Sequence, residues 1–93
     1  MGSVMYMVIE HFRNGDPVPV YERFQERGRL APAGLAYLGS CVDSQLRCCY
    51  QLMATEDPAL LEQWMARWRD LVEFEVHEVI SSGEASRRAL SRA

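Results

Sequence analysis

The hydrophobic pattern begins with a segment that is apolar on both faces of a strand. Residues 4–12 read Val-Met-Tyr-Met-Val-Ile-Glu-His-Phe. Alternate positions along a strand point to opposite faces, and here both sets are mostly apolar. A strand of this kind lies in the middle of a sheet, where both of its faces are covered. The pattern therefore predicts a central strand over residues 4–12.

Helix signals follow this strand. Asp16 suits the N-cap, and Pro17 suits the first helical position, where a missing N–H leaves no hydrogen bond unmade. Val20 and Phe24 then lie about one turn apart and begin an apolar stripe. Gly28 suits the left-handed backbone that ends many helices. The pattern predicts a helix between the aspartate and this glycine.

Two apolar segments, residues 35–42 and 46–54, are separated by a short polar gap. Two strands joined by a tight turn form an antiparallel hairpin. With a two-residue turn at Ser44-Gln45, Cys41 is expected opposite Cys48. A slip of one residue inverts every side chain, so the faces of both strands depend on this register.

A second helix start repeats the first, with Asp57 as the N-cap and Pro58 in the first helical position. Apolar residues follow at helical spacing, namely Leu61, Trp64, Met65 and Trp68. Asp70 is predicted to end the helix. The stripe is interpreted as core packing, with ligand stacking by Trp68 as the alternative.

The end of the chain predicts one more strand and one more helix. Residues 72–80 alternate between apolar and polar side chains, which is typical of a strand with one covered face. Ser81, with Glu84 three residues later, resembles a capping box. A short tail helix is therefore expected over residues 82–92.

The element order is βαββαβ with a trailing helix, as in a ferredoxin-like α+β fold. Right-handed crossovers and the hairpin predict a four-stranded antiparallel sheet of order 4-1-3-2, with both helices on one face. We expect one domain over residues 1–93, with its core at 4–81. The first three strands are also apolar on the face that the helices do not cover, and such a patch normally marks an interface. The chain is therefore predicted to form a homodimer, sheet against sheet.

The charge balance of the 93-residue chain limits its partners. Its 13 acidic and 10 basic residues give a formal net charge of -3, which argues against a nucleic-acid partner. Every basic residue is arginine, so no lysine is available for a Schiff base. The longest apolar run covers residues 4–9, far short of the ~20 residues that a membrane span needs. An odd count of 3 cysteines indicates a reducing cytoplasm. We expect a cytoplasmic protein with no nucleic-acid or membrane partner.

The motifs that hold common cofactors are absent from the sequence. It contains no Walker loop, no dinucleotide glycine fingerprint and no nucleophile elbow, so we expect no cofactor. Cys48 and Cys49 lack the two-residue spacer of a redox motif and are interpreted as small buried hydrophobic residues. A metal needs three or four convergent ligands, whereas Glu10 and His11 are neighbours on a strand and point to opposite faces. No metal site is predicted.

Two groups of polar residues remain as candidates. Glu75 and His77 share one face of the fourth strand, where a carboxylate can adjust the pKa of an imidazole. The alternative, which we favour, is the solvated face of an edge strand. Arg27 and Arg29 bracket a glycine and form a candidate clamp for a carboxylate or phosphate. Pairing of these arginines with acids such as Asp70 is the other interpretation.

Four stretches of the chain, residues 5–12, 28–35, 50–53 and 64–76, resemble a known family. The resemblance is to DUF3303, a group of small bacterial proteins of unknown function, and it covers roughly residues 4–82. It implies membership of the dimeric α+β-barrel superfamily, in which two copies join sheet to sheet. Members of that superfamily include cofactor-independent monooxygenases, haem-degrading enzymes and ligand-sensing domains. None of their catalytic motifs is carried over to residues of this chain.

Two functions are left open. The first is a non-enzymatic homodimeric module that binds a small apolar or weakly acidic ligand, or only itself and a partner. The second is a cofactor-independent monooxygenase or isomerase that acts in the barrel cavity, and the first is favoured. The candidate pocket residues are Tyr6, Glu10, Gln51, Trp68, Glu75 and His77. The alternation of the strands does not decide which face points inward.

Overall fold

The protein, described here from a computed structural model of residues 2–92, has an α+β fold. Its strands are β1 (Val4–Phe12), β2 (Leu35–Val42), β3 (Cys48–Thr55) and β4 (Val72–Val79), and its helices are α1 (Val18–Arg27), α2 (Pro58–Ala66) and α3 (Ser82–Leu90). A short 3₁₀ turn at Arg13–Gly15 follows the first strand. The strands form one antiparallel sheet of order β2-β3-β1-β4, which reads as 4-1-3-2 from the opposite edge.

The helices begin at or next to the predicted aspartates. Asp57 caps α2, because its side chain accepts a hydrogen bond from the backbone N–H of Ala59 at 3.0 Å. At α1 the start lies one residue later than predicted, and Asp16 accepts from the N–H of Val18 at 3.0 Å. Gly28 ends this helix at a φ of 72°, as its sequence position indicates.

The hairpin register differs from the prediction by two residues. Cys41 lies opposite Tyr50, so its predicted pairing with Cys48 is wrong. The turn is longer than two residues because Asp43 binds the side chain of Arg47 at 2.8 Å and also its backbone N–H at 3.2 Å. A shift of two residues keeps the parity of residues 39–42 relative to β3. A β-bulge between Tyr37 and Gly39 leaves residues 35–37 only one residue from the predicted register, which inverts their parity.

The second helix is shorter than predicted and ends at Ala66 rather than at Asp70. The N–H of Trp68 donates to the carbonyl of Met65 at 3.0 Å, a tight turn that breaks the α-helical pattern. Arg23 from α1 binds the Asp70 carboxylate through both terminal nitrogens, at 2.6 and 2.8 Å. These contacts hold the segment after α2 as a compact turn.

The tail helix α3 lies within the range predicted for it. The Ser81 hydroxyl accepts a hydrogen bond from the N–H of Glu84 at 3.1 Å, so the predicted serine cap is present. None of its described residues is buried. The structure contains, among residues 2–92, no helix long and apolar enough to cross a membrane.

The core lies between one face of the sheet and the helices α1 and α2. Val8, Met53 and Val72 from three strands are fully buried there, packed with Val20 and Trp64 from the two helices. Within residues 2–92 the buried residues of α1 and α2 all belong to the cluster on this face, and the opposite face of the sheet is called the open face below. Its apolar side chains include those of Met5, Met7, Ile9, Tyr50 and Leu52. The central strand is therefore apolar on both faces, and α1 and α2 pack on one of them.

Candidate functional site

A cavity of about 220 Å³ lies between the helix-covered face of the sheet and α1. Its apolar and aromatic lining consists of Val20, Tyr21, Phe24, Val42, Trp64 and Trp68. Its polar lining consists of Glu10, Arg29, Ser40, Cys49 and Gln51. A pocket with mostly apolar walls and a few convergent polar groups is the usual form of a small-molecule site.

Three polar side chains meet at the floor of this cavity. Glu10 on β1 and Gln51 on β3 are only 8% and 3% exposed, respectively. The Gln51 Nε2 donates a hydrogen bond to Glu10 Oε2 at 3.3 Å, and Arg29 Nη1 donates to Gln51 Oε1. The glutamine therefore links a buried carboxyl to a guanidinium, and we call these three residues the polar triad.

The buried carboxyl has an unusual affinity for its proton. Removal from water raises the pKa of Glu10 to about 7, and the nearby charge of Arg29 opposes this shift only in part. The carboxyl is therefore divided between its neutral and ionised forms near neutral pH. Groups whose pKa lies near the working pH are common in functional sites.

Both the backbone carbonyl and the guanidinium of Arg29 are held by aromatic side chains. Its backbone carbonyl accepts hydrogen bonds from the indole N–H groups of Trp64 and Trp68, each at 3.0 Å. Its guanidinium lies 3.6 Å from the ring centre of Tyr37 and 5.2 Å from that of Phe24. The charged group thus lies beside the cavity between aromatic side chains of α1 and β2, and two indoles hold the backbone of the same residue.

The thiol and the phenol that line the cavity remain protonated near neutral pH. Burial, and then the charge of Glu10, raise the pKa of Cys49 to about 12. Burial also raises the pKa of Tyr21, with smaller contributions from Cys49 and Glu10. Because the thiolate is the nucleophilic form of cysteine, this thiol is not an activated nucleophile.

The structure divides the six candidate pocket residues between the two faces of the sheet. Glu10, Gln51 and Trp68 line the cavity. Tyr6 lies on the same face of β1 but packs at the edge of the core instead of lining the cavity. The remaining pair, Glu75 and His77, lies on the opposite, open face of the sheet.

The open-face pair forms a small exposed cluster with a second histidine. Glu75 binds His77 Nε2 at 2.6 Å and His11 Nε2 at 3.1 Å. These hydrogen bonds, that of His77 first, lower the pKa of the carboxyl. Among residues 2–92 no group of three or more histidine, cysteine or acidic side chains has the arrangement needed for a metal ion.

The two arginines of the candidate clamp separate at the end of α1. Arg29 lines the cavity, whereas Arg27 is exposed and is not part of its lining. Pairing with Asp70, the other interpretation of these arginines, is made instead by Arg23. Of the proposed pair, Arg29 therefore belongs to the polar triad and Arg27 does not.

Sequence reasoning missed several walls of the cavity. Phe24 was expected only as part of a helical stripe, and Ser40 was not singled out. Glu10, which had been selected, shares its strand parity with the core residues Val8 and Phe12, but the parity of β1 gives no information about residues on α1 or β2.

Comparison with known proteins identifies a family but no characterised relative. A family model described as "Domain of unknown function (DUF3303)" matches residues 4–92. No curated protein matches the chain, and no solved structure does so either.

Proposed function

Because this chain belongs to the DUF3303 family, which carries no assigned activity, we propose its function from its own geometry. The cavity binds one small molecule, and the protein is a ligand-binding module of two identical chains. The observation that carries the proposal is the convergence of aromatic walls on the buried polar triad of Glu10, Gln51 and Arg29. This combination provides burial for an apolar body and hydrogen bonds for one polar end.

The size of the cavity limits the ligand. Its volume of about 220 Å³ is smaller than the roughly 300 Å³ at which sites for drug-sized ligands begin. The ligand is therefore expected to have one or two rings. The site also lies within one chain, between sheet and helices, rather than between two chains as the barrel-cavity expectation had it.

A second candidate function is an isomerase or cofactor-independent monooxygenase that uses the same cavity. The pKa of Glu10, at about 7, favours it, because a general acid or base is most effective near the working pH. Turnover of a bound ligand, as opposed to its reversible release unchanged, distinguishes this function from simple binding.

Pairing of two chains is part of the same proposal. In a ferredoxin-like βαββαβ unit the face without helices is free for a partner, and the open face carries Met5, Met7, Ile9, Tyr50 and Leu52. The side chain of Tyr50 on this face is 43% exposed in the single chain. An apolar patch of this kind is stabilised when a second copy removes it from water.

We place this function in the cytoplasm. The cysteines Cys41, Cys48 and Cys49 are all free thiols, which is usual in a reducing compartment. The two buried ones serve as small apolar side chains.

A larger side chain in the cavity is expected to weaken the binding of one-ring ligands. Ser40 lines the cavity from β2, so Ser40→Leu inserts a larger side chain, at a cost of about 1–3 kcal/mol to a bound ligand, or roughly tenfold or more in Kd. Both tryptophans line the cavity, so their fluorescence reports binding of benzyl alcohol or benzoate directly. The matched control is Ser40→Ala, which also lacks the hydroxyl that meets Tyr37 Oη at 2.7 Å. Equal affinities of the two variants would contradict the proposed site.

A charge on the open face is expected to separate the two chains. Ile9→Asp places a carboxylate at the centre of the proposed interface, where an unpaired buried charge is strongly unfavourable. Sedimentation velocity at about 10 μM should give a dimer for the wild type and a monomer for this variant. Val18→Asp is the control, because that residue is 57% exposed at the start of α1. A wild-type chain that sediments as a monomer would refute the pairing.

A further inference from the structure

We propose, on the basis of the ligand-binding function above, that the ligand is a small aromatic carboxylic acid and that its binding is coupled to proton uptake. The ligand carboxylate binds the Arg29 guanidinium. The Glu10 carboxyl takes up a proton from solvent and donates it as a hydrogen bond to the same carboxylate. The chemistry is one of binding only, with no covalent bond formed or broken in the ligand.

The first step is that the guanidinium is arranged before a ligand arrives. Two indole N–H groups hold the Arg29 backbone carbonyl at 3.0 Å, and the Tyr37 ring lies 3.6 Å from the guanidinium carbon. A group already held in its bound position loses little entropy on binding. A guanidinium has five N–H donors, and Gln51 accepts from one terminal nitrogen. Its planar fork matches a carboxylate, so the remaining donors select that group.

The second step is that both ends of the Gln51 side-chain amide already make hydrogen bonds within the protein. Its amide oxygen accepts from Arg29, and its amide nitrogen donates to Glu10. The glutamine is therefore the connector of the polar triad, and a ligand meets the two groups at its ends. One end is a permanent cation, and the other is a carboxyl that can lose or hold its proton.

The third step concerns charge. With Glu10 ionised, the triad is neutral overall, and a ligand carboxylate would face a second carboxylate in a site of low dielectric. With Glu10 protonated, the triad has a net positive charge and offers an O–H donor. Two carboxyl groups that share one site hold a proton between them for this reason. An anionic ligand therefore requires the neutral form of the glutamate.

The other groups around Glu10 do not compete for this role. Cys49 from β3 and Tyr21 from α1 have raised pKa values and are neutral near pH 7. On β4 the neighbour of Glu10 in the sheet is Phe74. The tryptophans of the cavity, Trp64 on α2 and Trp68 in the turn after it, do not titrate. Arg29, from the loop after α1, is the charged group that acts on this carboxyl.

The walls of the cavity indicate an aromatic body for the ligand. Trp64, Trp68, Phe24 and Tyr21 all line it, and aromatic rings pack well against one another in tilted or edge-on contacts. A flat ring with one carboxylate therefore fits both the aromatic lining and the polar end. Benzoate and phenylacetate are suitable probes for this class.

The sign of the pH dependence follows from the free state of the carboxyl. Burial raises the pKa of Glu10 to about 7 before a ligand binds, and a bound anion raises it further. Below this pH the site is already protonated and binding is strongest. Above it each bound anion must bring one proton with it, so the Kd for benzoate is expected to rise about tenfold per pH unit.

The experiment is isothermal titration calorimetry of the full chain with benzoate and phenylacetate, and with benzyl alcohol as a neutral ligand. Titrations at about pH 6 and about pH 8, in buffers of different ionisation enthalpy, give both Kd and proton uptake. We expect benzoate to bind roughly tenfold more tightly or better at the lower pH, with uptake approaching one proton at the higher pH. Benzyl alcohol should show little dependence on pH, because it carries no charge in this range.

Two variants assign the effect to individual residues. Glu10→Gln should bind benzoate with an affinity that no longer changes with pH and with no proton uptake. Arg29→Met should weaken benzoate at least about tenfold more than it weakens benzyl alcohol, because only the acid uses the guanidinium. Arg87→Met, in the exposed tail helix α3, removes the same charge away from the cavity and should leave both affinities unchanged.

The possible failures are distinguishable. If benzyl alcohol binds in the cavity but benzoate and phenylacetate bind no better at low pH, the acid inference is overturned and the ligand-binding function stands. If the acids bind without proton uptake in the wild type, the role of Glu10 is overturned even if a variant fails to fold. If none of these probes binds at either pH, both the inference and the proposed function are rejected.

Discussion

Replacing Trp64 with alanine is expected to lower the free energy of unfolding by about 3–5 kcal/mol, the usual cost of deleting a large buried aromatic side chain. Trp64 is only 1% exposed and packs against Phe74 with ring centres 5.8 Å apart. Its indole N–H also donates to the carbonyl of Arg29 at 3.0 Å. The substitution therefore opens a void in the core and loosens the loop that holds the guanidinium.

Urea unfolding followed by far-UV circular dichroism measures this loss. Trp64→Phe is an informative companion, because it keeps much of the ring volume and removes the N–H. Trp68 still donates to the same carbonyl, so this variant should lose clearly less stability than the alanine variant. Leu90→Ala, at a side chain that is 72% exposed, should change the stability by less than about 0.5 kcal/mol. A loss below about 1 kcal/mol for Trp64→Ala would contradict the packing described here.

The second large effect is a gain in stability for Glu10→Gln that grows with pH. The pKa of Glu10 rises from an ordinary 4.5 to about 7 on folding, because burial disfavours the ionised form. Below about pH 4.5 the carboxyl is protonated in both the folded and the unfolded state, so it does not lower the free energy of unfolding. Between these two pKa values the unfolded chain releases its proton first, so the folded state becomes relatively less stable as the pH rises. Above pH 7 the full cost, about 3 kcal/mol, is present.

The measurement is the free energy of unfolding of both proteins from about pH 4 to about pH 8. Glutamine has nearly the shape of the glutamic acid and carries no charge, so the difference between the curves isolates the titration of Glu10. Glu22→Gln, at an exposed position on α1, is the matched control for the removal of one carboxylate from the surface. A difference for Glu10→Gln that is flat with pH would show that the buried carboxyl does not retain its proton.

The boundaries that sequence patterns predicted well depend on local interactions. Asp57 caps its helix through a backbone N–H two residues away, and Ser81 through one three residues away. Such signals lie within one turn of the chain and need no tertiary partner. The strand β1 was predicted with its observed limits, because alternation and apolar content are also local properties.

The features that were mispredicted depend on contacts between specific groups, some of them distant in the chain. The hairpin register was set by the binding of Arg47 to Asp43, which lengthens the turn. The end of α2 was set by tight turn bonds and by Arg23, which reaches Asp70 from another helix. A pattern of apolar and polar residues contains neither of these interactions.

The candidate site was also predicted only in part from the sequence pattern. Glu10, Gln51 and Trp68 were selected for their chemistry and do line one cavity, while Glu75 and His77, selected for the same reason, lie on the open face. Period-two alternation places side chains on two faces, but it cannot say which face the helices will cover when both are apolar.

By itself, the sequence determined the element types, their order and most helix starts, because these follow from backbone preferences and local hydrogen bonds. It also determined which residue types were available, with arginine as the sole basic side chain. Only the tertiary structure decided that α1 and α2 cover the face that carries Glu10 and Gln51. That choice buries a carboxyl beside an arginine and leaves two histidines exposed, because burial and charge proximity depend on how the elements pack and not on their order in the chain.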